Sequence, residues 1–587
     1  IKRTRPTGRF GLKAEASYGS FGTMAARAVM NVPLIDSQFA AKFFYFHNES
    51  DGFYRSGVTG KRVGGSNNDN MGVSFLVQPA GSGFDAVLTV EKQSQKFDVV
   101  NSNITNSSEL FCGFITPAEC NRNNTSDLYT VFNSPGVSNY SAPAVTLEMN
   151  YDLGGVKLTS VSGFRRSHEN QTQDFDASTT DLYYTRRQQN YRQWSQELRA
   201  AGKVSDSFDY VVGGYLFSSR FDLKQHTRLF AFNTAVDPLI ADTNPQLVIG
   251  HTKSFAIFGD FNWAFADKFR LSFGGRYTRD KKSLSNGFGG VLVGQGTGTF
   301  SKFTPKVGLD YRPNEDTMIY ASWSRGYRSG GFSPRAATAI TASVAYQPEV
   351  VDSYEVGTKL DLLDRHLQFN LAAFYSKYDG LQQNTTIPGG PTGNQTITSN
   401  AGSATIKGIE ADFTARPAEG LRLTGSIGYL KSNFKGFVVG NTLAGVIRNF
   451  DYSSNDMIYS PNITASLGAD YTLQTNFGSV IANIGYRYIA PYDQQISLGA
   501  LTIPASPTGT VIVNGNDPRV RSDRQGLLDA SLSAKFNLGG AKAKVTVFGR
   551  NLADDRGTTA AFTVAGLWSF ASAREPRSFG ASLGFEF

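Results

Sequence analysis

The connections between its strand-like segments constrain this chain more than any other feature, because tight turns and long polar excursions alternate almost from end to end. Phe10 to Tyr18 and Thr23 to Val32 read as a hairpin, and Pro33 to Ser37 turns the chain into Gln38 to His47. An excursion from Asn48 to Asn68 follows. Asp69 to Gln78 then meets Gly83 to Gln93 across Pro79-Ala80-Gly81-Ser82, and the next connection runs to Tyr140. The short set continues with Asp152-Leu153-Gly154-Gly155, Ala266-Asp267, Pro313-Asn314-Glu315-Asp316, Leu363-Asp364-Arg365, Pro417-Ala418-Glu419-Gly420 and Asn537-Leu538-Gly539-Gly540. These are Gly, Pro, Asn and Asp clusters of hairpin type. Between them lie long stretches near 222–249, 281–300, 328–348, 380–400, 435–458, 490–523 and 552–575, rich in Gly, Thr, Asn and Ser. The count is twenty-two strands. The fold class is therefore all-β: a 22-stranded antiparallel transmembrane β-barrel. An even strand number puts both ends on one side, with short turns in the periplasm and long loops outside the cell.

Side-chain alternation makes the same point independently, since a lipid-facing strand must be apolar at every second position while its lumen face is free to be polar. Phe269, Leu271, Phe273, Gly275 and Tyr277 alternate with Arg270, Ser272, Gly274, Arg276 and Thr278. Leu528, Ala530, Leu532, Ala534 and Phe536 alternate with Asp529, Ser531, Ser533, Lys535 and Asn537. The last strand sets Phe579, Ala581, Leu583, Phe585 and Phe587 against Ser578, Gly580, Ser582, Gly584 and Glu586. Phe84 to Gln93 is less regular, with Val87 on its polar side.

A chain of 587 residues would ordinarily split into several domains, yet no linker, charge block or composition shift divides this one. Aromatics reach 13%, and the rings near strand ends, such as Tyr151, Trp263, Phe265, Tyr311 and Tyr471, suit an interfacial girdle rather than a soluble core. No run approaches the ~18–20 apolar residues of a membrane helix; the longest candidate, Tyr210 to Phe217, contains two glycines. No secretory leader stands at Ile1, although an exported barrel is expected to start with one. The net charge of +8 is dispersed, without the aromatic interleaving of nucleic-acid binders, so nucleic acid is not an expected partner. On the lumen side Arg270, Arg276, Lys306, Lys359, Lys535 and Lys544 are partly balanced by Asp310, Glu355, Asp361 and Asp529, as a hydrated wall requires.

Cys112 and Cys120, with seven residues between them, fall in the excursion between Ser94 and Tyr140 on the outer face, where oxidising conditions favour a disulfide. So short a loop contributes roughly 2–3 kcal/mol on the chain-entropy model, enough to order one loop. Catalytic chemistry is absent. Gly580-Ala581-Ser582-Leu583-Gly584 matches a nucleophile elbow but sits inside a period-two strand instead of a strand-to-helix turn. Gly81-Ser82-Gly83 is a turn with no helix after it. The five histidines, His47, His168, His226, His251 and His366, are scattered, and no ligand set implies a metal or cofactor. The chain reads as a non-enzyme.

The carboxyl end, Arg550-Asn551-Leu552-Ala553-Asp554 followed by Pro576-Arg577-Ser578-Phe579-Gly580 and a strand closing at Phe587, resembles the TonB-dependent outer-membrane receptors. Trp194-Ser195-Gln196-Glu197-Leu198-Arg199, Tyr320-Ala321-Ser322-Trp323-Ser324-Arg325-Gly326-Tyr327 with Gly330-Gly331-Phe332, Ser353-Tyr354-Glu355-Val356-Gly357-Thr358-Lys359 and Lys407-Gly408-Ile409-Glu410 are similar to successive landmarks of that family, in the family's order. Thr4-Arg5-Pro6-Thr7-Gly8 resembles the junction between plug and barrel. The division implied is residues 1–9 as the end of the plug and its link, and 10–587 as the barrel, with Phe587 as the terminal residue of barrel assembly.

The resemblance implies active uptake across the cell outer membrane of a scarce, bulky nutrient: a ferric siderophore foremost, or cobalamin or a glycan fragment. Its expected partners are the chain's own plug domain and the TonB–ExbB–ExbD complex, reached through a TonB box that would precede Ile1. Outer-membrane lipid or lipopolysaccharide and the small-molecule nutrient complete the list. The seventh and eighth outer loops are the expected contact region. Arg325, Tyr327, Arg328 and Phe332 lead into the seventh and Tyr346 closes it, and guanidinium groups beside aromatic faces suit a carboxylate or catecholate ligand. Girdle and loop packing is the competing reading of the same residues. No histidine lies between Tyr327 and Arg365, which disfavours haem. The alternative function is a passive outer-membrane channel or structural barrel without a plug.

Overall fold

The computed structural model describes residues 4–35, 38–107, 109–121, 128–133, 135–229, 244–388, 394–443, 446–496, 511–513, 517–564 and 567–587. Twenty-two strands form one antiparallel sheet, from Gly11–Gly19 to Ser578–Glu586, each bonded to its neighbours in chain order. The first strand pairs with the last, from Lys13 opposite Glu586 to Gly19 opposite Gly580, and the sheet closes. Backbone bonds between Leu12 and Phe587, at 2.9 and 2.8 Å, extend the seam. A Lys13–Glu586 ion pair at 2.6 Å and an edge-on contact between the Phe10 and Phe587 rings lie at its periplasmic end.

Turn chemistry fixes that end. Gly81, Gly83, Gly154, Gly420 and Gly539 take positive φ in their turns, where a side chain would be strained. Leu363, Asp364 and Arg365 adopt the left-handed region in succession without a glycine. Above the turns Tyr151, Trp263, Phe265 and Tyr471 stand exposed as a girdle, and Phe269 stacks on Tyr311 at 4.7 Å. The outward apolar residues, among them Phe273, Leu532, Phe579 and Leu583, are likewise exposed, because they face lipid.

Two stretches expected as loops are strand over their described residues, 389–393 lying outside these. The region 281–300 continues Phe269–Phe288 and Val291–Asn314 around a turn at Gly289 and Gly290, and 380–400 continues Leu367–Pro388 and Asn394–Ala418. Above the bilayer both faces of a strand meet water, so apolar alternation no longer marks it. Much of 222–249 is strand for the same reason, up to Leu229 and again from Gln246; residues 230–243, and 497–510 within 490–523, lie outside the described residues. At the other end, Arg5 meets Asp85 and the Lys42 ammonium meets Thr4, so residues 4–7 rest on the inner wall.

The buried apolar core lies in the outer loops. Tyr54, Ile104, Leu128, Tyr129, Val131 and Val520 pack with Ala561, Ala571 and Ala573, uniting four loops, and the hairpin Thr558–Val564 with Trp568–Ala573 adds a strand from Ser102–Asn103. Glu109, 5% exposed, takes hydrogen bonds from Arg519 at 2.6 Å and from Ser569, and Arg519 is held in turn by Asp517. Cys112 and Cys120 are bonded, closing the turn that carries Phe111.

One loop of this cap titrates. Asp176 accepts from the backbone N–H groups of Ser178, Leu182 and Tyr183, while Asp174 beside it accepts from the Ala177 N–H. Burial, and then the Asp176 charge, push the Asp174 carboxyl far up. A carboxyl whose folded pKa is raised contributes most below its unfolded pKa and loses that contribution as pH rises. Backbone hydrogen exchange over 174–183, corrected for intrinsic rate, is therefore expected to show higher protection at pH 5 than at pH 8, and Asp174→Asn is expected to abolish the difference.

The seam gives a second expectation. A Cβ at Gly19 would sit 2.7 Å from the Phe579 carbonyl oxygen, backbone that cannot move aside. Gly19→Val is expected to cost about 1–3 kcal/mol, read as a lower urea midpoint for loss of the heat-modifiable folded band on electrophoresis.

Candidate ligand site in the barrel mouth

The strands Val156–Asp174, Tyr183–Ser205 and Gln246–Ala266 carry their lumen-side residues up into the cap, and there they meet the seventh loop, 329–348, folded inward. Three glutamine anchors fix that loop. Gln246 donates to the Ala336 carbonyl, Gln395 accepts from the Ala337 N–H at 3.0 Å and from the Thr341 hydroxyl at 2.8 Å, and Gln382 donates to the Ser329 and Gln347 carbonyls. The short helix Ala339–Ser343 starts with a reciprocal cap between Thr338 and Thr341. Gly331 and Tyr346 exchange backbone bonds at 3.1 and 2.9 Å, and this closes the loop.

The result is a cavity into which two guanidinium groups project, Arg187 from the wall and Arg335 from the loop. Phe175, Tyr183 and Trp568 supply its aromatic sides. Trp568 is itself locked: Phe111 stacks on one side with ring centres at 4.7 Å, Tyr183 lies at 4.7 Å, and the indole N–H donates to the Phe175 carbonyl at 3.0 Å. Arg187 lies 3.7 Å from Glu169, and its Nε has no hydrogen-bond partner among the described residues. Arg335 has no ion-pair partner among the described residues and keeps its surface open to the cavity. Desolvation by the surrounding protein, then the Arg187 charge, lower the pKa of its guanidinium. Two cations that act on one another, with a carboxylate recorded beside Arg187 alone, make a site that favours an anion.

The five residues expected from the sequence divide. Arg325 shares a strand face with Ile319 and Trp323, pairs bidentately with Asp352 at 2.9 and 2.8 Å, and stands outward. Arg328 is on the lumen side, 3.9 Å from Glu349. Tyr327 and Tyr346 are half-buried, with hydroxyl pKa values raised first by burial, and the Arg328 charge acts on Tyr346. Phe332 is buried with Leu223, Val248 and Leu284, so close to the wall that a Cβ at Gly296 would fall 2.1 Å from its ring. Sequence reasoning missed Arg187, Tyr183, Arg335 and Trp568. A signal existed for the last two: Arg335 stands inside the loop already selected, and Trp568 is the one tryptophan of four that lies in a loop.

Residues 46–552 match the family model for the TonB dependent receptor-like β-barrel. The pesticin receptor of Yersinia enterocolitica is 25% identical over 382 residues, covering 62% of this chain and 50% of that protein. The metal-pseudopaline receptor CntO of Pseudomonas aeruginosa is 31% identical over 171 residues, 28% of this chain and 22% of that protein. The chain thus spans about half the length of the first of these curated relatives. Among solved structures, the ferric yersiniabactin uptake receptor FyuA from Yersinia pestis superposes with a TM-score of 0.79 at 17% identity, over 100% of this chain and 81% of that one. The siderophore receptor PiuA from Acinetobacter baumannii superposes with a TM-score of 0.73 at 14% identity, over 100% and 82%. These relatives are receptors, and the closed barrel has the architecture of the two solved structures. With the family model covering most of its length, the chain belongs to the TonB-dependent receptor-like β-barrel family.

Proposed function

We propose that this protein imports an anionic, bulky nutrient, a ferric siderophore foremost, with work drawn from the inner-membrane proton gradient through TonB–ExbB–ExbD. The observation that carries this reading is the pairing of Arg187 with the carboxylate-free Arg335 between the rings of Tyr183, Phe175 and Trp568. Ferric complexes of catecholates and carboxylates carry dispersed negative charge on flat, apolar ligand frames. Guanidinium groups meet the charge and aromatic faces meet the frame. The receptors similar to this chain, one for ferric yersiniabactin and one for siderophores, support the same substrate class.

Energetics account for the coupling. Capture at nanomolar concentration needs about 12 kcal/mol of binding free energy, and such a site releases slowly. An outer membrane holds no ATP, so release and passage inward require work transmitted from elsewhere. We assign residues 1–9 to the end of a plug domain and its link, consistent with Arg5 and Thr4 lying on the inner wall at Asp85 and Lys42. A plug in the lumen would close the barrel at rest. Arg328, Tyr327 and Tyr346 would make the approach to the cavity.

Arg335→Gln is expected to weaken equilibrium binding of a ferric siderophore by tenfold or more, the loss of one charge-assisted contact. Binding would be followed by quenching of tryptophan fluorescence, with Arg365→Gln at a periplasmic turn as the unchanged control; equal affinities in the two variants would remove the cavity from consideration. In cells, accumulation of radiolabelled iron through this protein is expected to stop when the proton gradient is collapsed. Uptake that persists would identify the passive channel instead.

A further inference from the structure

The turn closed by Cys112–Cys120 supplies none of the cavity lining among the described residues, yet it grips the cavity's aromatic side at two places. One grip brackets Trp568. The Phe111 N–H donates to the Leu567 carbonyl at 2.9 Å, the Glu109 carboxylate accepts from the Ser569 hydroxyl, and the Phe111 ring, 1% exposed, stacks on the indole with 11° between the planes. The other grip holds the connection between Val156–Asp174 and Tyr183–Ser205, whose ends carry Phe175 and Tyr183 into the cavity. Glu119, also 1% exposed, accepts from the Thr179 N–H at 2.7 Å and from the Thr179 hydroxyl at 2.9 Å, and the Phe114 carbonyl accepts from the Thr180 hydroxyl at 3.1 Å.

The two gripping side chains belong to opposite halves of the turn, and each is the chain neighbour of a cysteine: Phe111 of Cys112, Glu119 of Cys120. Within the turn, the backbone bonds between described residues stay inside one half. The Cys112 N–H donates to the Glu109 carbonyl at 3.1 Å, and the Glu119 and Cys120 N–H groups donate to the Thr116 carbonyl at 2.9 and 3.2 Å. Just outside the ring, Asn121 bonds Thr105 and Ser107 at 2.8 and 2.9 Å. The covalent tie between the halves is the disulfide, and it therefore sets where the Phe111 ring stands relative to the Glu119 carboxylate.

We propose that Phe111 and Glu119, joined through Cys112–Cys120, are positioning residues for the ligand cavity, so that ligand affinity depends on the oxidation state of this disulfide. The ligand is taken from the import reading; the coupling between the turn and Trp568 stands without it. Cys112 is partly exposed and Cys120 is buried, which gives a reductant its access at Cys112. A water-soluble phosphine breaks the S–S bond: the two sulfurs take two electrons from phosphorus, water supplies the two protons of the thiols, and its oxygen leaves on the phosphine oxide. With the tie gone, ligand binding must itself order the Trp568 ring, and affinity falls by the cost of doing so.

The test compares the folded protein before and after reduction by the phosphine in mild detergent, with thiol labelling to confirm that both cysteines are free. Acrylamide quenching of Trp568, read as the difference between the protein and its Trp568→Phe variant, is expected to steepen on reduction. Affinity for iron(III) tris-catecholate, measured by equilibrium dialysis, is expected to fall about fivefold, as when one more aromatic side chain must be fixed on binding, and to return on reoxidation. Phe111→Leu in the oxidised protein is expected to give the same loss, and reducing that variant to add little to it, because the two changes break one coupling. The midpoint for loss of the heat-modifiable band is expected to stay where it is, since the wall strands carry it. Unchanged Trp568 quenching with both thiols free overturns the proposal whatever the ligand. Unchanged affinity beside steeper quenching overturns it as well, and so does a parallel fall in the heat-modifiable midpoint, which would make the bond a general brace. Absence of iron(III) tris-catecholate binding by the untreated protein counts against the import reading instead, and the quenching comparison then decides the coupling by itself.

Discussion

Hydrocarbon offers no hydrogen bonds, so every backbone N–H and C=O inside the bilayer must find its partner within the sheet, and only closure removes the last open edge. The seam between Gly11–Gly19 and Ser578–Glu586 is where that condition is met. Residues more than five hundred positions apart must arrive in register. At the outer end the register is set by two facing glycines, Gly19 and Gly580, which let the backbones and the Phe548 ring approach. At the periplasmic end an ion pair and two aromatic rings hold it. The even strand number, the grouping of turns on one side and loops on the other, and the lipid-facing alternation all depend on this closure.

A wall with lipid outside and a polar lumen inside has no interior of its own. The apolar residues that would form a core in a soluble protein are gathered instead where the outer loops fold onto one another. Stability in that region comes from burial around Trp568 and Phe111 and from a network in which Glu109, Arg519 and Asp517 satisfy one another. Burying such charges is tolerable because each carboxylate oxygen and guanidinium has a partner. The functional consequence is rigidity: Arg335 sits on a loop pinned by Gln246, Gln395 and Gln382, so its charge is presented in one place and not dispersed by motion.

The wall uses its two faces for different chemistry. Inside the mouth, Arg187 and Arg335 are drawn together by loop packing. Outside, Arg166, Arg192, Lys253 and Arg279 are aligned by strand register alone. A one-residue slip in any of these strands would exchange the faces, carrying cations into the lumen and lumen glutamines toward the lipid.

The strand count, the closed antiparallel class and the orientation of turns and loops were legible because turn residues and period-two alternation are local properties of the chain, as at Asp152-Leu153-Gly154-Gly155 and along Ser578 to Phe587. The family was legible from short strand segments in order. Strand lengths above the bilayer were not, since at 281–300 and 380–400 both faces are wet and the periodic signal vanishes. The mouth was legible only in part. Position in the seventh loop singled out Arg325 and Phe332, but the parity of the strand sent one outward to Asp352 and inward folding buried the other against Gly296. By itself the sequence determined the barrel, because each strand carries its own two-faced pattern. Only the tertiary structure decided the site, because Arg187, Arg335 and Trp568 belong to three separate segments and meet through packing between loops that no local pattern encodes.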